Sequence, residues 1–277
     1  MATSRAPRTP ARPAAPLAAY VLHSYDWSET SLIVELFTRS QGRLVVAAKG
    51  AKRPHSALRA VLLPFQPLQV LLGRTPADEQ AEVLNLRSAE WLGGQPLLGP
   101  AALLPGFYMN ELLLKLLARQ DAHPQLFDAY ADALAQLGGQ PPGQAEGPTL
   151  RAFELGLLQG LGLLPDLSQH TLTAEPLQPD RPYTLDAEAG LRAAPASATQ
   201  ALPGAAWTRI AAALLHGAPA ALRAACAPVA VPLRTPLRAL LQYHLNGSPL
   251  RTRQVWQGMQ RLTDPAPPAR PPLQATP

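Results

Sequence analysis

An α+β fold in two parts, all-β at the N-terminal end and all-α after it, is predicted by three observations on the 277-residue sequence. Up to about Glu90 the apolar residues fall in short runs rich in Val, Ile, Leu and Phe, separated by turn residues. After Gly93-Gly94 the apolar spacing lengthens to that of helices. The hydrophobic content of 47% is ample for a packed core in a chain of this length.

The first sixteen residues, MATSRAPRTPARPAAP, carry three arginines, four prolines and no acid. They lack the apolar segment of a secretory signal, and repeated proline disfavours the amphipathic helix of a transit peptide. A disordered basic tail over 1–16 is expected. Strands are expected at Ala18–Ser24, Ser31–Phe37, Leu44–Ala48 (after the turn signal Gln41-Gly42), Leu68–Leu72 and Ala81–Ser88. Five short strands without a long helix among them fit a closed OB-type barrel over 17–92 better than a βαβ fold. Phe37 and Phe65 are expected in the barrel core.

A helical domain is expected over 93–263. Its first helix spans Leu103–Arg119, and a second begins after His123-Pro124, with Leu126, Tyr130, Leu134 and Leu137 along one face. Gly138–Pro148 reads as a loop and Leu150–Leu163 as a third helix, whereas Pro165–Pro203 is Pro-rich and patternless. Shorter helices follow at Trp207–Leu215, Ala220–Cys226, Pro236–Leu245 and Arg253–Leu262, and a disordered Pro-rich tail over 264–277 is expected.

Charge is segregated along this plan. Residues 1–60 hold nine Lys or Arg against three Asp or Glu, residues 61–190 hold six against fifteen, and residues 191–263 hold eight arginines and no acid. Basic ends around an acidic middle point to a polyanionic partner. Nothing resembles the ~20 apolar residues of a membrane span. One cysteine, Cys226, excludes a disulfide framework or multi-Cys zinc site within the chain, makes a reducing cytoplasm the default, and reads as a core side chain.

No catalytic constellation is found. There is no phosphate-binding GxxxxGK[ST], the one GxG (Gly160-Leu161-Gly162) ends an apolar helix, and the six histidines are scattered without ligand spacing. No metal or cofactor is expected. The positive signal is VVAAKGAKRPHSALRAV, residues 45–61, where Arg43, Lys49, Lys52, Arg53 and Arg59 lie beside and after the third strand with no acid nearby in sequence. Cations there track a nucleic-acid backbone, and Tyr25 and Trp27, at the first hairpin, are placed to stack bases. The plain alternatives are a solvated turn and a cap over the barrel mouth. At the other end Arg251-Thr252-Arg253 starts a helix, whose free N–H groups and bidentate guanidinium groups suit a phosphate; a solvated helix start is the equal alternative.

The runs W-S-E-T-S (27–31), L-F-T (36–38), G-R (42–43), A-K-G-A (48–51) and L-P-F-Q-P-L (63–68) resemble the bacterial recombination mediator family RecO. G-F-Y-M-N-E-L-L (106–113), L-F-D-A-Y (126–130), L-R-A-F-E-L-G-L-L (150–158) and Y-H-L-N-G-S-P-L-R-T-R (243–253) continue the resemblance. It implies a non-enzymatic, cytoplasmic, nucleoid-associated protein. Such a protein binds single- and double-stranded DNA, anneals complementary strands and helps load recombinase onto gaps coated by single-strand DNA-binding protein. The implied partners are RecR and the acidic C-terminal tail of the single-strand DNA-binding protein. Some members carry a four-cysteine zinc module after a segment like Pro165-Asp166-Leu167; here SQHTLTAEPL follows, without cysteine, so no zinc is expected. An acidic, apolar-ended tail needs a hydrophobic groove with a cation. Arg151 in L-R-x-F-E is the first choice and Arg119 the second, against internal pairing with Glu154 or Asp121. Two other readings are an RNA-binding OB protein and a helical protein-interaction adaptor.

Overall fold

A computed structural model describes residues 15–73, 82–139, 141, 146–194, 198 and 200–263. The expected tails therefore lie outside the described residues, except for 15 and 16. Five strands, β1 (Leu17–Asp26), β2 (Leu32–Thr38), β3 (Gly42–Ala48), β4 (Leu68–Leu72) and β5 (Leu84–Trp91), close into a barrel of order β1-β2-β3-β5-β4. Pairing is antiparallel except between β3 and β5. A five-residue helix, α1 (Ala57–Val61), joins β3 to β4.

Alternation sends Ala19, Val21, Val34, Leu36, Leu44, Val46, Leu68 and Val70 into the barrel. The other face of β1 and β2 is apolar too. Tyr20, Leu22 and Phe37 leave the barrel and join the helical core, with Tyr20 against Tyr130 at 5.1 Å and Phe37 against Phe127 at 5.4 Å between ring centroids. Phe65 belongs to that second core as well. The expectation that Phe37 and Phe65 fill the barrel is thus corrected: for Phe37, a strand wedged between two cores is apolar on both faces and alternation cannot say which face looks inward, whereas Phe65 lies in the turn before β4, at φ +67°, where alternation does not apply.

Polar contacts fix this junction. Asn110 donates to the Leu22 carbonyl (2.9 Å) and accepts from the Tyr130 hydroxyl (2.5 Å), and Arg39 grips Asp128 through two bonds of 2.9 and 2.8 Å. Gly42, at φ +66°, lies so close to the chain at Asp121 that a Cβ there would overlap the Asp121 carbonyl oxygen.

The helical part comprises α2 (Pro100–Leu116), α3 (Pro124–Gly139), α4 (Glu146–Gly160), α5 (Gly204–His216), α6 (Pro219–Cys226), α7 (Ala230–His244) and α8 (Arg251–Thr263). The central helix is α4: Leu150, Phe153, Leu155, Leu157 and Leu158 are all buried, so it is apolar nearly all round. Helix α2 stops at Leu116 rather than Arg119, because Leu117 turns extended and Arg119 bridges to Arg43. Helix α7 starts six residues before Pro236, which sits inside it. A proline read as a first-turn residue is here a mid-helix residue tolerated by packing.

The patternless stretch is not wholly irregular. Strands β6 (Pro182–Asp186), β7 (Gly190–Ala193) and β8 (Leu202–Pro203) form a small sheet of order β7-β6-β8. Tyr183, Leu185, Leu191 and Leu202 bury against Trp207, whose indole donates to the Tyr183 carbonyl at 3.2 Å. The turn closes on Asp186, which accepts from the N–H groups of Ala189 and Glu188; these bonds hold its carboxyl below the usual range. The C-terminal part is therefore largely, not wholly, helical.

Candidate nucleic-acid interface and peptide cavity

Two loops of the barrel are stitched into one surface. After β1 the chain turns so that the N–H groups of Trp27 and Ser28 both reach the Ser31 carbonyl at 3.3 Å. After β3, Gly50 adopts φ +73° and the Arg53 N–H donates to its carbonyl at 3.1 Å, a tight turn that this glycine's freedom permits. The second turn then docks on the first: the Lys52 N–H donates to the Thr30 carbonyl (3.0 Å) and its ammonium to the Ser28 carbonyl (3.1 Å). Tyr25 and Trp27, 48% and 59% exposed, thus share a surface with Lys49, Lys52 and Arg53.

Lys52 is not free of acids, as its sequence neighbourhood suggested. It pairs with Asp26 at 3.1 Å across the two loops. Lys49, Arg53 and, on α1, Arg59 are exposed and have no ion pair within 4.0 Å among the described residues. Their charge is available to a ligand.

Arg43 does not join them. It donates to the Leu114 carbonyl at 3.0 Å and lies 3.6 Å from the buried Glu35, which Arg119 reaches at 3.4 Å from the other side. Both arginines neutralise one carboxylate at the barrel–helix junction, and Arg119 also faces Glu82 at 3.8 Å. Neither is placed for the ligand suggested by its sequence context.

The N-terminus of α8 is occupied from within. The Glu111 carboxylate of α2 accepts from the N–H groups of Arg251 (2.8 Å) and Thr252 (3.0 Å) and from the Thr252 hydroxyl (2.7 Å). Lys115 braces the approach through Ser248 and the Pro249 carbonyl, at 3.1 and 2.9 Å. The free N–H groups expected there are taken by an internal anion. Arg251 is exposed beside them, whereas Arg253 turns onto the wall of a cavity.

Burial alone would raise the Glu111 carboxyl, but the Thr252 and Arg251 N–H groups, the Thr252 hydroxyl and Lys115 outweigh it and leave it below the usual range. A depressed carboxyl stabilises the fold above its unfolded value and loses that contribution as pH falls through the folded one. Hydrogen exchange of the α8 amides, corrected for intrinsic rates, should therefore hold its protection from neutral pH down to about 4.5 and weaken only below. Loss of protection between pH 5 and 6 would assign the anchor to a histidine instead.

The cavity, of about 370 Å³, lies between α2, α4, α7 and α8. Leu104, Leu150, Leu241, Leu250 and Trp256 form its apolar walls, and Arg151, Arg234, Arg238 and Arg253 outnumber Glu146 and Glu154 around it. Arg151, 7% exposed, bonds Glu154 at 2.8 Å, and the Tyr108 hydroxyl donates to the same carboxylate oxygen at 2.6 Å. The internal pairing weighed for Arg151 is therefore present, yet Arg151 Nε and Glu154 Oε2 are buried without a partner. Burial pushes the Glu154 carboxyl up, with Arg151 opposing it. Arg234 lies over the Trp256 ring at 4.9 Å. Trp256 escaped the sequence reading; the Arg234/Arg238 spacing of four, which puts both on one face of α7, was the signal available for this wall. Cys226 is buried, its thiol pushed up to about 12 by burial.

Among the described residues no group of three His, Cys, Asp or Glu is placed to hold a metal, and no helix is long and apolar enough to cross a membrane. Residues 16–93 match the family model for the N-terminal part of recombination protein O, and residues 100–254 match the model for its C-terminal part. The DNA repair protein RecO of Variovorax paradoxus is 52% identical over 252 residues, and that of Verminephrobacter eiseniae 51% over 246 residues. The RecO protein of Polaromonas naphthalenivorans is 49% identical over 247 residues; each alignment covers 88% of this chain and 96% of the relative.

Proposed function

Since the chain belongs to the RecO family of DNA repair and recombination proteins, we propose that it is a non-enzymatic mediator that grips the DNA backbone through the stitched barrel loops. The observation that carries this reading is the docking of the turn that bears the exposed Lys49 and Arg53, unpaired among the described residues, onto the turn beside the exposed Tyr25 and Trp27, with Arg59 following on α1. Aromatic faces accept any base and cations follow any phosphate chain, so binding is independent of sequence. Annealing of complementary strands and loading of recombinase onto gaps coated by single-strand DNA-binding protein follow as the work of such a surface, with RecR as a further partner.

Arg151 supports the acidic tail of the single-strand DNA-binding protein as ligand of the cavity: the walls are apolar and cations are in excess. This adds an adaptor role to DNA binding. The test of the barrel site is a salt titration with a labelled single strand. Affinity should fall steeply and linearly on a log–log plot, with a slope of roughly −0.7 per phosphate contact. RNA of equal length, competed against it, separates this reading from an RNA-binding protein: preference for DNA is expected, and preference for RNA or a flat salt response would overturn it.

A further inference from the structure

Helix α8 is held in an unusual way. None of its described side chains, residues 251–259, is buried, and Val255 and Met259 are more than half exposed. Isolated helices of about this length are marginal in water, and most protein helices are kept by the burial of one face. Hydrogen bonds that tie α8 to the rest of the fold are gathered at its first turn, on the Glu111 carboxylate, with Leu250 buried just before it; further along, Arg234 lies over the Trp256 ring. Yet α8 supplies Thr252, Arg253, Trp256, Gln257 and Met259 to the cavity wall.

We propose that Glu111 is a positioning residue for the cavity: its carboxylate, clamped on the N-terminus of α8, sets the wall that carries Arg253 and Trp256, and so governs affinity for an acidic peptide. This rests on the peptide reading of the cavity. Glu111 does not line the cavity; it reaches the wall through α8, with Lys115 at 3.7 Å beside its carboxylate. Its clamp uses both carboxylate oxygens, one on Arg251 and one on Thr252. Glu111→Gln keeps one acceptor oxygen and Glu111→Ala keeps none, so the two variants grade the clamp without changing the cavity lining. Glu111 is also remote from the barrel loops in its bonding, and DNA affinity should not follow it.

The experiment uses the full chain, a fluorescein-labelled acidic peptide ending in phenylalanine, and a labelled single-stranded oligonucleotide. Loss of a helix cap predicts roughly a tenfold weaker peptide affinity in Glu111→Ala, an intermediate value in Glu111→Gln, and DNA affinity unchanged in both. Amide exchange over residues 251–259 should rise in the same order. Arg238→Glu serves as the control on the cavity, since it removes a cation from the wall itself. If Arg238→Glu abolishes peptide binding while Glu111→Ala leaves it intact despite a loosened α8, the positioning role is overturned and the cavity reading stands. If the wild-type chain does not bind the peptide, the cavity reading falls and the inference with it. A parallel fall in DNA affinity would also overturn the claim, because α8 would then serve both ligands.

Discussion

Replacing Lys49, Arg53 and Arg59 together by glutamate is expected to lower affinity for single-stranded DNA by at least about a hundredfold near 0.1 M salt, because three attractions to the DNA backbone become three repulsions. The log–log salt slope should shrink by roughly two, about 0.7 for each phosphate no longer neutralised. All three side chains are exposed and unpaired among the described residues, so thermal stability should stay within about 0.5 kcal/mol of wild type. Lys52 is left out deliberately. Its ammonium holds Asp26 and the Ser28 carbonyl, and its loss would unstitch the two turns as well as remove a charge. Unchanged affinity in the triple variant, measured by fluorescence anisotropy on a folded protein, would move the DNA site off the barrel.

Gly42→Ala should cost about 2–5 kcal/mol in urea unfolding, the combined range for a side chain at left-handed φ and for overpacking against backbone. Two independent features act at this residue. Its φ is +66°, and the added methyl would overlap the Asp121 carbonyl, where no flexible side chain is available to yield. Relief requires the barrel and the segment after α2 to part, which also strains the Gln120 N–H bond to the Arg43 carbonyl (2.9 Å) and the Arg43–Glu35–Arg119 cluster. A loss below about 1 kcal/mol would mean that the junction is softer than its geometry implies.

Local pattern carried the barrel strands and the helices of the C-terminal part, because both periodicities are properties of a few consecutive residues. What escaped was set by contacts between distant residues. Arg43 looked like one more cation beside Lys49 until Glu35 and Leu114 closed on it. Asp26 is invisible as the partner of Lys52 until β1 and β3 are brought to the same end of the barrel. The start of α8 had every local mark of an anion site, and its anion proved to be Glu111, 140 residues earlier. The sheet of β6, β7 and β8 escaped for a different reason: its strands have five, four and two residues, too short for alternation to register. Lys49, Lys52 and Arg53 stand out in the sequence because they lie within five consecutive residues, and Tyr25 and Trp27 because they flank the end of β1.

The most direct test of the account is strand annealing on DNA coated with single-strand DNA-binding protein, followed with complementary labelled oligonucleotides. Wild-type protein should accelerate annealing of the coated strands, and the Lys49, Arg53, Arg59 triple-glutamate variant should not, although it still binds the acidic peptide. Annealing by the triple variant at the wild-type rate would contradict the claim that the barrel loops are the DNA-working surface.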